Sequence, residues 1–236
     1  MMTRSAKAAF YVVCGPVMKL NGILYRSFRS PRGRPVKVHI GPGQNKYLPG
    51  WINIDANMFT GKCDVWVDLR NPLPFGNDTC DAIYSHHVVE HLPSLECHFK
   101  DVFRCLRPGG VYRVGGPNGD SAIRKYLAGD PGWFPDFPDK RSSIGGRLEN
   151  FVFCRGEHLT ILTRSFLEEL MSHVGFVRIA TRLPVKETGY PDTFGECLTT
   201  EWEADFGCPH TLIVEAEKPS AAHSTTAPGA AGKKVG

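Results

Sequence analysis

Apolar and polar positions in this chain follow two periods, and the order of those periods predicts the architecture. Apolar runs of strand length recur at residues 36–40, 51–54, 63–69, 81–85, 111–114, 176–179 and 211–215. Two segments between them follow the helical period instead. Leu95, Phe99, Val102, Phe103 and Leu106 fall on one helix face behind a capping Ser94, and Pro108-Gly109-Gly110 stops that helix. Phe166, Leu167, Leu170, Met171 and Val174 form a second face, opened by Thr163 or Ser165 and closed by Gly175. Strands joined by such connections predict an α/β fold with a doubly wound, mostly parallel, seven-stranded sheet.

Three segments stand outside that alternation. Residues 1–35 form a basic N-terminal arm in which Phe10, Cys14, Val17, Leu24 and Phe28 recur at roughly helical spacing, with Pro16 placed to open a second helix. Residues 116–163 are dense in Gly, Pro and aromatics without a clear period; at that length they read as an insertion that acts as a lid or binding surface. Residues 219–236, rich in Ala, Ser, Thr and Gly, are expected to be disordered. The folded domain is thus expected over 36–218.

Charge sharpens the picture of the arm. Residues 1–37 hold eight Lys and Arg and no acid, which leaves 20 bases against 24 acids in the rest. The arm therefore reads either as a helix packed on the domain or as a basic amphipathic helix in peripheral contact with anionic lipid. Its apolar run at residues 8–13 is short and lacks a cleavage site, and no unbroken run reaches the ~18 apolar residues of a membrane span. Eight cysteines without a C-x-x-C pair read as thiols in a reducing compartment, so a cytoplasmic location, with possible membrane association, is expected. An acidic body without a nucleic-acid motif argues against nucleic-acid partners.

The chemistry is concentrated in VKVHIGPGQNKYLPGWINID, residues 36–55. Glycines at a strand tip, Gly41 and Gly43, let a ligand approach the backbone, and a carboxylate at the next tip, Asp55, can accept both hydrogen bonds of a ribose diol. The dinucleotide fingerprint would need glycine where Lys46 stands. Residues 44–51 leave room for only about one helical turn at ~3.6 residues per turn. An adenosine-containing cofactor without a long pyrophosphate-binding helix fits this spacing.

The series HIGPG, INID, DVWVDL with PLPF, DAIYSHHVVEHL, LRPGGVYRV and GEHLTILTRSFLEELMSHVGF resembles the class I S-adenosylmethionine-dependent methyltransferases, most closely their type 11 group, over residues 36–217. The resemblance implies S-adenosyl-L-methionine as cofactor. Gly41 and Gly43 would then line its methionine end and Asp55 its ribose. Asp68 and Leu69 would sit at the adenine, and Ser85, His86 and His87 near the sulfonium. The acceptor, a small molecule, glycan or lipid-linked hydroxyl, would enter under the insertion, where His91 and His158 are the candidate catalytic bases.

Two other readings compete. His87-Val-Val-Glu90-His91 matches H-x-x-E-H, which on a helix puts two imidazoles on one face for a zinc hydrolase. Pro93 interrupts any such helix and no third ligand is identifiable in the sequence, so no metal is expected there. The chain could also be a non-catalytic cofactor-binding module acting through partners. The acids Glu196, Glu201, Glu203 and Asp205 are expected to form a solvated face, and Trp51 and Trp66 to be core residues.

Overall fold

The apolar runs become strands β1 (Lys37–Ile40), β2 (Ile52–Asp55), β3 (Val65–Trp66), β4 (Cys80–His86), β5 (Leu106–Pro117), β6 (Val177–Arg182) and β7 (Thr211–Glu217). A computed structural model describes residues 4–29, 31 and 35–220. The strands form one sheet in the order β3-β2-β1-β4-β5-β7-β6. β1 to β5 pair in parallel, and β7 enters antiparallel between β5 and β6. The order reverses between β1 and β4, so their carboxyl ends diverge and leave a crevice at the point where parallel α/β sheets bind ligands.

The predicted helix α2 (Leu95–Cys105) is capped by Ser94, whose hydroxyl accepts from the Cys97 N–H at 3.3 Å. Thr163 rather than Ser165 caps the helix Arg164–Val174, and Gly175 ends it at a φ of 110°. Between β1 and β2 no helix forms at all: residues 42–50 make only turns. A pyrophosphate would be left without the helix N-terminus it prefers, which disfavours a dinucleotide.

The insertion is more regular than its composition implies. It holds α3 (Gly119–Leu127) and α4 (Ile144–Phe153), with Arg164–Val174 following as α5. Short apolar stripes hid them: α3 buries only Gly119, Ser121 and Ala122, and α4 carries two glycines in its first turn. Their packing comes from aromatics between the helices. Trp133 stacks on His210 at 4.2 Å and 4°, and its indole N–H donates to the Cys208 carbonyl at 2.8 Å.

The acidic run is only partly a solvated face. Arg113 on β5 is fully buried, gripped by Glu201 through two bonds of 2.8 and 2.9 Å and by Glu215, its cross-strand partner on β7, at 2.6 Å. Glu203 is likewise buried and pairs with His210 at 2.9 Å. Spacing could not reveal the Arg113 cluster, because Glu201 gains its partner from β5, 88 residues away. Trp51 is buried against Phe194, and Trp66 is half-buried.

The arm forms a single helix, α1 (Arg4–Leu24), continued by a π-helical turn at Tyr25–Arg29. It runs straight through Pro16 instead of restarting there. Pro16 lacks the N–H that would bond the Val12 carbonyl, but Val12 lies on the exposed side, where water can serve that group. The inner side is anchored: Met18 is fully buried and the Asn21 amide donates to the Trp66 carbonyl at 2.8 Å. On the outer side Val12, Val13, Val17, Leu20, Ile23, Leu24 and Phe28 are exposed. By length and composition the helical stretch Ser5–Arg29 is apolar enough to cross a membrane. The unbroken-run criterion misses this because Gly15, Pro16, Lys19 and Asn21 interrupt the run without greatly lowering its average. The tail expected to be disordered lies outside the described residues from position 221, as do residues 32–34 of the arm.

Candidate active site

A cleft of about 630 Å³ opens at the carboxyl ends of β1, β2 and β4 and is bordered by α1 and the end of the insertion. That volume is within the ~300–1,000 Å³ range of small-molecule sites. Gly41, Gly43, Asp55, Asp68, Leu69, His87 and His91 all line it.

The loop after β1 is held open by its own chemistry. Gly41 takes a φ of 71° and its N–H donates to the Ile54 carbonyl at 2.9 Å, so the chain turns sharply off the strand. A Cβ on Gly41 would lie 2.3 Å from a Val88 methyl, so only glycine fits. Gly43, at a φ of 57°, has nothing within 4 Å of where its Cβ would stand. Its bare backbone borders open cleft.

Asp55 ties this loop to the next strand. Its carboxylate accepts from the Gly43 N–H and from the Asn57 N–H, both at 2.9 Å. Burial raises its pKa, and these backbone donors only partly offset that. Two carboxylate oxygens offer about four acceptor sites, so capacity remains for a diol. Asp68 is more committed: Arg70 clamps it through Nε at 2.9 Å and Nη2 at 2.7 Å, and the Tyr11 ring of α1 covers the Arg70 guanidinium at 3.7 Å. This geometry fits S-adenosylmethionine, with glycine backbone at one end, a ribose-competent carboxylate in the middle and no phosphate-binding helix.

Ser85 and His86 do not reach the cleft. Side chains alternate across a strand, and both residues still belong to β4. Ser85 points into the core, 2.8 Å from the Tyr112 hydroxyl. His86 points to the opposite face, where Lys46 lies 3.2 Å from its Nδ1 and burial holds its pKa well below the ordinary value. His87 is the first residue past the strand. A φ of 55° swings it into the cleft, with Nε2 3.2 Å from the Thr211 hydroxyl. The H-x-x-E-H segment is a 3₁₀ turn, Val89–His91, and not an α-helix, so His87 and His91 lack the one-turn register of a zinc hydrolase.

The structure instead brings His91 to His158, with ring centroids 4.9 Å apart. The insertion's end is pinned to the turn by the Leu159 N–H, which donates to the Glu90 carbonyl at 2.8 Å. Each imidazole faces a carbonyl through Nδ1: His91 meets Glu157 O at 2.9 Å and His158 meets Val152 O at 3.0 Å. A carbonyl only accepts, so Nδ1 carries a proton in both rings, and in the neutral tautomer each Nε2 keeps its lone pair. Burial lowers the His158 pKa, which keeps that ring neutral near pH 7.

Sequence reasoning missed three residues that line the cleft, Lys7, Tyr11 and Arg70, and Glu90 buried beside it. Lys7 and Tyr11 reach the rim from α1, with Lys7 paired to the Glu157 carboxylate; their i, i+4 spacing was the available signal. Arg70 stands two residues beyond Asp68. Glu90 was visible only inside the discounted H-x-x-E-H pattern.

Comparison with known proteins finds a partial likeness to methyltransferases. Residues 57–114, about a quarter of the chain, match the type 11 family model described as "Methyltransferase domain". Among curated proteins, the sterol 24-C-methyltransferases of Schizosaccharomyces pombe and Aspergillus fumigatus are 43% and 40% identical over 42 residues, 18% of this chain in each case. These matches span only 11% of the relatives' own length. Among solved structures, a S-adenosylmethionine-dependent methyltransferase of Thermotoga maritima, described as a possible histamine N-methyltransferase, is 15% identical, with 90% of this chain and 95% of that one covered and a TM-score of 0.49. One from Archaeoglobus fulgidus is also 15% identical, with 88% and 99% covered and a TM-score of 0.47. At those scores the fold assignment rests on strand order and not on superposition. The matched segment is thus similar to a methyltransferase domain, and the seven-stranded 3-2-1-4-5-7-6 sheet is an α/β, Rossmann-like fold of the class I methyltransferase type.

Proposed function

We propose that the protein methylates a hydroxyl acceptor, a small molecule, glycan or lipid-linked alcohol, that binds between the 87–91 turn and the end of the insertion. One observation carries this reading: a single cleft joins the Gly41, Gly43 and Asp55 loops to His91, which is paired with His158. When bound, S-adenosylmethionine supplies a sulfonium methyl that is already activated for transfer. The protein's part is to align the acceptor oxygen, an effect worth up to roughly 7–11 kcal/mol, and to handle the hydroxyl proton at the His91–His158 cluster. Calorimetry with S-adenosylmethionine and a transfer screen with the radiolabelled cofactor test it. Binding without transfer to any acceptor fraction would favour the non-catalytic module, and absence of binding would refute both. His91→Gln and His158→Gln should lower turnover and leave cofactor affinity nearly intact.

The arm favours an acceptor at a membrane surface. α1 borders the cofactor cleft with Lys7 and Tyr11 while its outer side carries exposed Val13, Val17, Leu20, Leu24 and Phe28 beside basic Lys19, Arg26 and Arg29. Apolar side chains flanked by bases suit the headgroup boundary of an anionic bilayer. Because Met18 and Asn21 tie the inner side to the domain, α1 would lie along the surface. Flotation with anionic liposomes should be strong at low salt and weak at high salt. Salt-independent flotation would indicate a spanning helix; no flotation at either salt would leave α1 as a packed cover only.

A further inference from the structure

We propose that Glu90, His91 and His158 form a binding site for one divalent cation of the zinc class on the acceptor side of the cleft. Their ligand atoms all lie within 4.8 Å of one another. Bonds of ~2.0–2.2 Å from zinc to nitrogen and oxygen set ligand separations near ~3–3.6 Å, so modest side-chain rotation closes the three around an ion.

Glu90 is the first reason to expect an ion there. It is 1% exposed, and neither carboxylate oxygen has a hydrogen-bond donor. His87 Nδ1 and His91 Nε2 stand 3.3 and 3.9 Å from Oε1, close but outside hydrogen-bonding geometry. Among the described residues no Lys or Arg forms an ion pair with Glu90. Buried carboxylates are normally hydrogen-bonded, paired or metal-bound, and an orphaned one calls for an explanation. Room is kept for it as well: a Cβ on Gly116 would lie 3.2 Å from Glu90 Oε2.

The two imidazoles supply the second reason. Both donate Nδ1–H to backbone carbonyls, of Glu157 and Val152, which leaves both Nε2 lone pairs for a ligand. Ligating histidines are oriented in this way by the hydrogen bond on their other nitrogen. Two such rings on a hydroxyl's proton would be redundant, whereas two rings and a carboxylate make a three-ligand donor set with positions left open. The third ligand that sequence spacing could not supply is His158, brought from the end of the insertion by the Leu159–Glu90 backbone bond.

The open positions face the cleft, since the His91 side chain is 34% exposed and lines it. A cation there would hold the acceptor oxygen and acidify its hydroxyl, the proton passing to solvent water, so the His91–His158 cluster would handle that proton through the ion it ligates and not as free imidazole bases. That role rests on the methyl-transfer reading; the binding itself does not.

The test uses the full-length protein, freed of any affinity tag, stripped with a chelator and titrated with zinc alone, then with cobalt. One equivalent of zinc per chain is expected, with visible ligand-field bands on cobalt loading. Glu90→Gln and His158→Gln should each weaken zinc at least tenfold, while S-adenosylmethionine affinity stays within twofold, which also shows that the variants are folded. His210→Gln, which breaks the separate Glu203 pair, should leave zinc binding unchanged. Absence of zinc binding and of cobalt bands in the wild type would overturn the proposal, as would affinity unaltered by both variants. If zinc binds as described but S-adenosylmethionine does not bind at all, the metal site stands and the methyltransferase reading fails.

Discussion

Asp55 offers the sharpest separation of binding from folding. Replacing it by Asn keeps the shape and removes the charge, but its one carbonyl oxygen can serve only one of the Gly43 and Asn57 N–H groups, which bond different carboxylate oxygens at 2.9 Å. A hydrogen bond to a charged acceptor is worth about 1.5–3 kcal/mol, which converts to roughly a 10- to 150-fold loss of S-adenosylmethionine affinity at ~1.4 kcal/mol per tenfold. Stability should move differently. Burial raises the Asp55 pKa above its ordinary value. A carboxyl whose folded pKa is raised contributes stability fully below its unfolded value of ~3.9, and that contribution is lost as pH rises through the folded value. At neutral pH the ionised side chain is therefore a net cost to the apoprotein, and its removal in Asp55→Asn offsets the one backbone hydrogen bond that the amide cannot accept, so this variant should melt close to wild type. Asp55→Ala, which also frees both N–H groups, should lose affinity at least as far and melt lower than Asp55→Asn. Calorimetric titration and thermal unfolding at pH 7.5 measure the two effects. Affinity of Asp55→Asn within twofold of wild type would refute the assignment of the ribose site.

Other substitutions test the loop, the core and the arm. Gly41→Ala must both hold a φ of 71° and push Val88 aside, so a loss of about 2–4 kcal/mol is expected in denaturant titration; Gly43→Ala meets no neighbour and should cost only ~1–2 kcal/mol. Arg113→Met strands Glu201 and Glu215 in the core and should destabilise by about 3–5 kcal/mol, also in denaturant titration. The same cluster sets an acid limit. Burial would raise the Glu215 carboxyl, but Thr188, the Gly189 N–H, Arg113 and Arg182 together hold it below its ordinary value. That contribution is present above the unfolded carboxyl range of ~4.3 and is lost as pH falls through the folded value, so the wild type should lose stability below about pH 4 more steeply than a Glu215→Gln variant. Lys7→Ala combined with Tyr11→Ala removes the ion pair to Glu157 and the cover on Arg70, and should speed cofactor release in stopped-flow measurements without unfolding the domain.

Local chemistry made much of this fold legible in the sequence. Ser94, Thr163 and Gly175 are capping residues whose effect lies within one turn of themselves, so they marked helix ends without tertiary information. Gly41, Gly43 and Asp55 were legible for the same reason: a strand tip followed by a turn and a second tip is a local pattern. Ser85 and His86 went wrong at the scale of one residue, because the swing into the cleft begins only where His87 leaves β4 with a positive φ. The short stripes of α3 and α4 failed as signals because their stability comes from Trp133, Phe134 and Phe151, which lie between the helices or serve both.

What stayed hidden is what long-range pairing creates. Glu201 and Glu215 reach Arg113 across 88 and 102 positions, and a run of acids near the chain's end reads as solvated until β7 is inserted beside β5. Glu90 is the same case with the opposite outcome. Burial strips it of water as it does Glu215, but no arginine arrives, and the groups that do arrive are imidazoles: His87 and His91 beside it and His158 from the insertion. A fold that satisfies one buried carboxylate with four partners and leaves another without a donor, facing two imidazole lone pairs, has not left the second one unsatisfied by accident of packing. Glu215 is built to hold the sheet together, and Glu90 is built to hold something the chain does not supply.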